Sequence, residues 1–151
     1  MAGISYVSPL VVIQSNGHYL TSYPKEARMT TMDIAKKLVE LCMQGKNDEA
    51  LNTLFADDAV SVEAAGPPGA SREAKGLAAI KAKSEWWLNN HDIHSFSVTG
   101  PWPHGDRFIA GFQFDVTNKS LGKRMTLDEV GLYTVHNGKI VKEEFFYDLG
   151  G

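Results

Sequence analysis

The sequence predicts an α+β domain in which helices pack on one face of a curved antiparallel sheet. Apolar residues recur at helical spacing between Thr30 and Asn89, and period-two alternation runs from His94 to Asp148. Turn signals such as His136-Asn137-Gly138 separate the strands of the second half. At 151 residues the chain has the length of one domain. A hydrophobic share of 43% and a charged share of 22% fit a soluble globule and exclude a disordered chain. The formal net charge of −3 argues against a nucleic-acid partner, which needs a concentrated basic face. The lone Cys42 excludes an intrachain disulfide framework and a cysteine-rich metal site.

Residues 1–30 read as an extension, separate from a domain over 31–151. Ile4–Val7 and Leu10–Ile13 have strand character, and Ser15-Asn16-Gly17 supplies a hairpin turn, so the segment reads as a β-hairpin arm. Its apolar run, Pro9–Ile13, falls far short of the ~18 residues a membrane span requires. Residues 1–24 carry no Lys or Arg, unlike a secretory signal. With an unpaired cysteine added, the expected compartment is the cytoplasm, with no membrane partner.

Thr30 is a natural N-cap, with Asp33 placed to complete a capping box. Ile34, Leu38, Leu41 and Cys42 then mark one face of a helix that Gly45 stops. Asn47 is placed to cap a second helix carrying Leu51, Leu54 and Phe55. A short strand over 59–64 leads into Gly66-Pro67-Pro68-Gly69, which no regular element accommodates. A third helix covers 77–89, with Ile80, Trp87 and Leu88 on its apolar side. Strands follow at 94–99, 108–117, 125–135 and 139–148, with a turn expected over Gly100–Asp106.

Alternation sorts these strands into two faces. Phe108, Ala110, Phe112, Phe114 and Val116 share one face with Leu127, Glu129, Gly131, Tyr133 and Val135, and with Val141, Glu143, Phe145 and Tyr147. Both faces of the 125–135 and 139–148 strands are substantially apolar. Helices cover one side of such a sheet and a partner subunit the other, so a homodimer through the sheet is expected.

The junction Phe55-Ala56-Asp57-Asp58-Ala59-Val60, with Thr99-Gly100-Pro101, Gly138-Lys139-Ile140 and Phe146-Tyr147-Asp148, resembles the nuclear transport factor 2-like superfamily. Within it the chain, over roughly Met32–Leu149, is most similar to SnoaL-like polyketide cyclases, ketosteroid isomerases and limonene epoxide hydrolases. The resemblance implies a cone-shaped, cystatin-like fold: a strongly bent sheet around a blind apolar pocket closed by three N-terminal helices. It also implies a cofactor-independent enzyme acting on a small hydrophobic carbonyl compound. Carboxylates in an apolar pocket have raised pKa values and shuttle protons near neutral pH.

Carried over residue by residue, the resemblance puts Glu63 where ketosteroid isomerases place their general base. The isomerase oxyanion-binding positions fall on Val39 and Gly131, and the SnoaL-like acid/base position again on Gly131. The Asp-Arg-Asp set of epoxide hydrolases falls on Phe112, Phe114 and Phe145, so that chemistry is not expected. The candidate catalytic residues are therefore Glu63 as base, with Glu129 or Glu143 holding a proton for a developing enolate oxygen. Phe112, Phe114, Val116, Leu127, Phe145, Tyr147 and Trp87 are the candidate substrate-binding residues. Gly131 is expected to leave room beside Glu129.

Other readings stand beside these. Val60 and Val62 facing inward would leave Glu63 solvated. A one-residue slip would exchange Glu129 for Asp128 and Glu143 for Glu144. Cross-strand ion pairs with Lys142 or Lys139 would occupy the glutamates structurally. His91 and His94 are i,i+3 apart and His104 lies in a loop, but no helix-borne histidine pair with a nearby carboxylate emerges, so no metal site is expected. Lys119, Lys123 and Arg124 read as a solvated basic tip. The competing function is a non-catalytic protein that holds an apolar ligand in the same pocket.

Overall fold

A computed structural model describes residues 28–66 and 68–148; the hairpin arm expected over 1–30 lies almost wholly outside the described residues. Three helices and six strands follow in the order α1 (Thr31–Met43), α2 (Asn47–Leu54), β1 (Phe55–Val62), β2 (Glu73–Lys75), α3 (Leu77–Asn90), β3 (His91–His104), β4 (Arg107–Asn118), β5 (Lys123–His136) and β6 (Lys139–Tyr147). The strands form one sheet in the order β2-β1-β6-β5-β4-β3. All neighbours are antiparallel except β1 and β6, which run parallel with Ser61 opposite Glu143. This is the expected α+β fold.

Local chemistry accounts for most boundaries. Thr30 and Asp33 form the capping box, with the Thr30 Oγ1 accepting from the Asp33 amide at 3.1 Å and the Asp33 carboxylate accepting from the Thr30 amide at 2.9 Å. Gly45 takes φ +70°, the left-handed turn that ends α1. The next helix starts so soon afterwards that Lys46, whose carbonyl accepts from Ala50, is its cap; Asn47 is its first residue and caps nothing.

Three expectations about strands need correction. The turn expected over Gly100–Asp106 is mostly strand: β3 runs on to His104, a bulge between Thr99 and Trp102 absorbs Gly100-Pro101, and Gly105-Asp106 alone makes the turn. The strand expected over 59–64 starts at Phe55, directly after α2, because Phe55 pairs with Ile140 of β6. β2, too short to show alternation, pairs with β1 at the sheet edge.

Alternation on β6 also breaks once. A register shift between Thr134 and Val135 puts Ile140 opposite Val135 and leaves Val141 without a partner. Ile140 is thus wholly buried on the inner side and Val141 only partly so, the reverse of strict period two. Beyond the bulge, Glu143, Phe145 and Tyr147 face inward as expected.

The core lies between the helices and the inner sheet face. Ile34, Leu38 and Leu41 of α1, Leu51 and Leu54 of α2 and Ile80 of α3 pack against Phe108, Tyr133 and Ile140. The Phe108 and Tyr133 rings stack with centroids 4.9 Å apart. α3 lies over β1 and leaves the Glu129–Tyr147 end of the sheet partly open.

Candidate active site

The inner face of the sheet is built in rows. Phe112, Glu129 and Tyr147 lie side by side across β4, β5 and β6; Ala110, Gly131 and Phe145 form the next row; Phe108, Tyr133 and Glu143 the next, extended by Ser61 of β1. Glu63 follows the end of β1, where its amide donates to the Arg72 carbonyl at 2.9 Å. Glu63 therefore belongs to the Ala59–Ser61 face, and Ser61 rather than Val60 or Val62 is fully buried. The reading that puts the valines inward and Glu63 in solvent does not hold.

One residue missed in the sequence organises the site. Lys83 lies on α3 one turn from Ile80 and one turn from Trp87, and its ammonium enters the carboxylate cluster from above. It donates to the Glu63 Oε1 and the Ser61 Oγ, and it stands 3.8 Å from the Glu143 Oε1. It also lies 4.9 Å from the centroid of the Phe145 ring, a cation–π contact. The Tyr147 hydroxyl donates to the other Glu63 oxygen at 3.2 Å. The available sequence signal was a lysine at i+3 from Ile80 and i−4 from Trp87, on a stripe that should be apolar.

The three candidate glutamates have different environments. Glu143 is 6% exposed; burial pushes its pKa up, while the Lys83 charge and a hydrogen bond from Ser61 pull it back. Ser61 thus bridges, accepting from Lys83 and donating to Glu143. Glu129, half-buried beside Phe112 and Tyr147, is pushed up to about 7, first by burial and then by the Glu63 charge, with Lys83 opposing. Glu63 is ion-paired and has both oxygens hydrogen-bonded. Burial, reinforced by the Glu63 charge, also raises the Tyr147 phenol. Neither expected pairing forms, since Lys142 binds Glu144 at 2.9 Å on the outer face and Lys139 binds the Thr53 carbonyl.

The expected lining separates into two groups. Phe145 and Tyr147 border the carboxylates directly, with Phe112 one strand away from Glu129. Phe114 and Leu127 pair farther along the sheet, and Trp87 lies 5.2 Å from Phe114 while stacking on His91 at 4.6 Å. Val116 is fully buried, away from any opening. Gly131 does not leave a gap. A Cβ there would meet the Tyr133 ring at 2.7 Å, so that ring already fills the space. Tyr133 is a further buried group of the site, its phenol raised well above the usual range by burial. Cys42, also pushed up to about 12 by burial with help from the Glu143 charge, is a poor nucleophile there.

Two of the described histidines hydrogen-bond within the scaffold. His91 Nδ1 lies 2.9 Å from the Trp87 carbonyl and its Nε2 lies 3.2 Å from Asn118 Nδ2, while His94 bonds Thr117 Oγ1. Of the basic tip, Arg124 forms a two-pronged ion pair with Asp115, and Lys119 lies 3.3 Å from Asp92. Two surface cavities of about 370 and 360 Å³ lie away from the glutamates. One runs across β3, β4 and β5 and is lined by residues of both parities, Phe96, Phe114 and Leu127 beside Ser97, Gln113 and Asp128; the other lies between α2 and α3.

The family model of the SnoaL-like domain matches residues 29–147. The chain belongs to the SnoaL-like domain family. A provisionally assigned SnoaL-like polyketide cyclase of Mesorhizobium loti, also labelled a carbohydrate phosphatase, is 49% identical, with 79% of this chain and 100% of that one aligned at a TM-score of 0.75. Two more distant structures share the fold alone. A Xanthomonas campestris protein with a cystatin-like fold is 20% identical over 79% of this chain and 91% of its own, at a TM-score of 0.64. A Catenulispora acidiphila protein with a ketosteroid isomerase-like fold, solved with trimethylamine, is 22% identical over 80% and 88%, at 0.61. No curated protein sequence matches the chain. No helix among the described residues is long and apolar enough to cross a membrane.

Proposed function

We propose that this SnoaL-like domain is an enzyme of the polyketide-cyclase or isomerase type, moving a proton next to the carbonyl of a small hydrophobic compound without a cofactor. One observation carries this reading. Two carboxyl groups share an apolar floor but not an environment: Glu63 is ion-paired with Lys83, while Glu129 is raised to about 7. An ion-paired carboxylate beside one raised by burial fits a base and an acid. Glu63 takes the α-proton, Glu129, raised to about 7, gives and takes a proton near neutral pH, and Glu143 acts from beneath through Ser61 and Lys83. Phe145, Tyr147 and Phe112 supply the apolar contact, with Trp87, Phe114 and Leu127 beyond them.

The test is deuterium exchange at the α-carbon of bulky apolar ketones, followed by NMR. Wild type is expected to catalyse exchange and Glu63→Gln to lose it by roughly a hundredfold or more. Exchange that survives in Glu63→Gln would move the base to Glu129 or Glu143. Binding without exchange would favour the second reading, a ligand-holding protein, for which Val39 and Gly131 speak because they bring no donor to the inner face.

The same proposal includes a homodimer. Val130 and Phe146 are opposite neighbours on the outer face, Ile109 pairs with Trp102 beside them, and all four are exposed. A second copy of the chain covering this strip would remove it from water. The single thiol suits the reducing cytoplasm.

A further inference from the structure

Resting on that reading of the site, we propose that Lys83 is a catalytic residue: its ammonium donates a hydrogen bond to the oxygen of the enolate that forms when Glu63 removes the neighbouring proton. The positions from which the resemblance would draw oxyanion donors are empty of them here. Val39 is apolar, and Gly131 is covered by the Tyr133 ring. Lys83 brings a positive charge to the same floor from another element, α3.

The geometry suits the chemistry. A carbonyl oxygen and its α-hydrogen sit on adjacent carbons, so the donor and the base must themselves be neighbours. The Lys83 Nζ and the Glu63 Oε1 are in direct contact. An ammonium has three N–H bonds. Glu63 and Ser61 take two at short range, and Glu143, its Oε1 3.8 Å away, is the weakest of the three partners. The N–H turned toward Glu143 is the one most easily redirected to an entering oxygen, and the Lys83 side chain is 28% exposed, within reach of such a molecule. The Phe145 ring under the ammonium and the burial of Glu143 keep water from one side, which strengthens the interaction.

The step balances. The Glu63 carboxylate takes the α-proton, the C–H electron pair becomes the C=C bond, and the carbonyl π pair moves to oxygen. Lys83 keeps its proton throughout and only hydrogen-bonds that oxygen. As Glu63 becomes neutral, Lys83 loses the nearer of its two carboxylate partners at the moment the oxygen gains a charge. The attraction is therefore stronger in the transition state than in the ground state, as catalysis requires. Delivery of that proton from Glu63 to a different carbon of the conjugated enolate completes isomerisation; its replacement on Glu63 by a solvent deuteron before return to the α-carbon gives exchange.

The test uses 2-naphthol as a stable oxyanion and Glu63→Gln as the neutral form that Glu63 takes after proton abstraction. Calorimetry reads binding, and ultraviolet absorbance reads whether the bound naphthol is ionised. In Glu63→Gln the naphtholate is expected to bind about tenfold to a hundredfold tighter than neutral naphthol, and adding Lys83→Met abolishes that preference. The double variant removes both members of the Lys83–Glu63 pair and leaves Glu143 to Ser61, so its folding is checked by its denaturation midpoint before binding is read. Equal preference in the single and double variants, or naphthol bound only in its neutral form, overturns the assignment of Lys83 while ketone exchange by wild type still supports the carboxylates. Naphtholate preference without ketone exchange keeps Lys83 as an anion site and rejects the proton-transfer reading. No binding of naphthol to either variant overturns the assignment as well.

Discussion

Glu143 and Glu144 are adjacent in the chain and live in different chemical worlds. Glu143 points inward, is almost fully buried, and shares Lys83 with Glu63. Glu144 points outward and meets Lys142 at 2.9 Å, a partly solvated pair worth little. Asp128 and Glu129 repeat the contrast one strand away. The outer face carries exposed apolar residues and ordinary surface ion pairs, while the inner face gathers three carboxyl groups around one ammonium. The same residue types thus form ordinary surface pairs on one side of the sheet and a buried cluster on the other, and only the side decides.

The pH dependence of stability should separate the two faces most strongly. The folded state holds the Glu129 proton more tightly than the unfolded chain, because burial raises its pKa from 4.5 to about 7. That contribution is complete below pH 4.5 and is lost as pH rises through about 7, an effect of ~3 kcal/mol. Urea titrations between pH 4 and 8 should show Glu129→Gln losing much of this decline and Asp128→Asn keeping it; equal slopes in the two variants would break the contrast.

Removing one cation from each face is the next comparison. Lys83→Met strands Glu63 and Glu143 and should cost ~2–3 kcal/mol at pH 7, less in acid where carboxyls protonate. Lys142→Met should stay within ~0.5 kcal/mol, as surface pairs do. Denaturation midpoints measure both.

Two glycines test packing in the same way. Gly131→Ala forces a Cβ against the buried Tyr133 ring and should lower stability by about 1–2 kcal/mol. Gly111→Ala on the outer face meets only the Thr99 hydroxyl end, an exposed side chain that can rotate, so its thermal midpoint should fall less. The smallest change in folding is expected from Phe146→Asp, within ~0.5 kcal/mol, yet it should convert the proposed dimer to monomer in sedimentation at micromolar concentration.

Much of this organisation was legible in advance. Capping at Thr30, the stop at Gly45, the Asn137-Gly138 hairpin and the inward side of β4 and β5 follow from local rules of dihedral preference and alternation. These act within a few residues and need no knowledge of the partner strand. The Gly100 turn and the β6 face pattern were misread around their bulges because a bulge is a property of two paired strands, and a single strand does not announce it.

At the site the division is sharper. The sequence supplied Glu129, Glu143 and Tyr147 by their parity on an apolar face, and Glu63 only through the family resemblance. It did not supply Lys83, which comes from a helix far from β6 in the chain. Nor did it show Tyr133 filling the space over Gly131, since a glycine reads as room until a neighbouring ring is placed. The sequence by itself determined which residues alternate, cap and turn, since those depend on short-range backbone geometry. The tertiary structure alone decided which carboxylate is paired, which is left to hold a proton, and what covers each gap. Desolvation and Coulomb interaction depend on distance in space, and α3 meets β1 and β6 only when the sheet has closed.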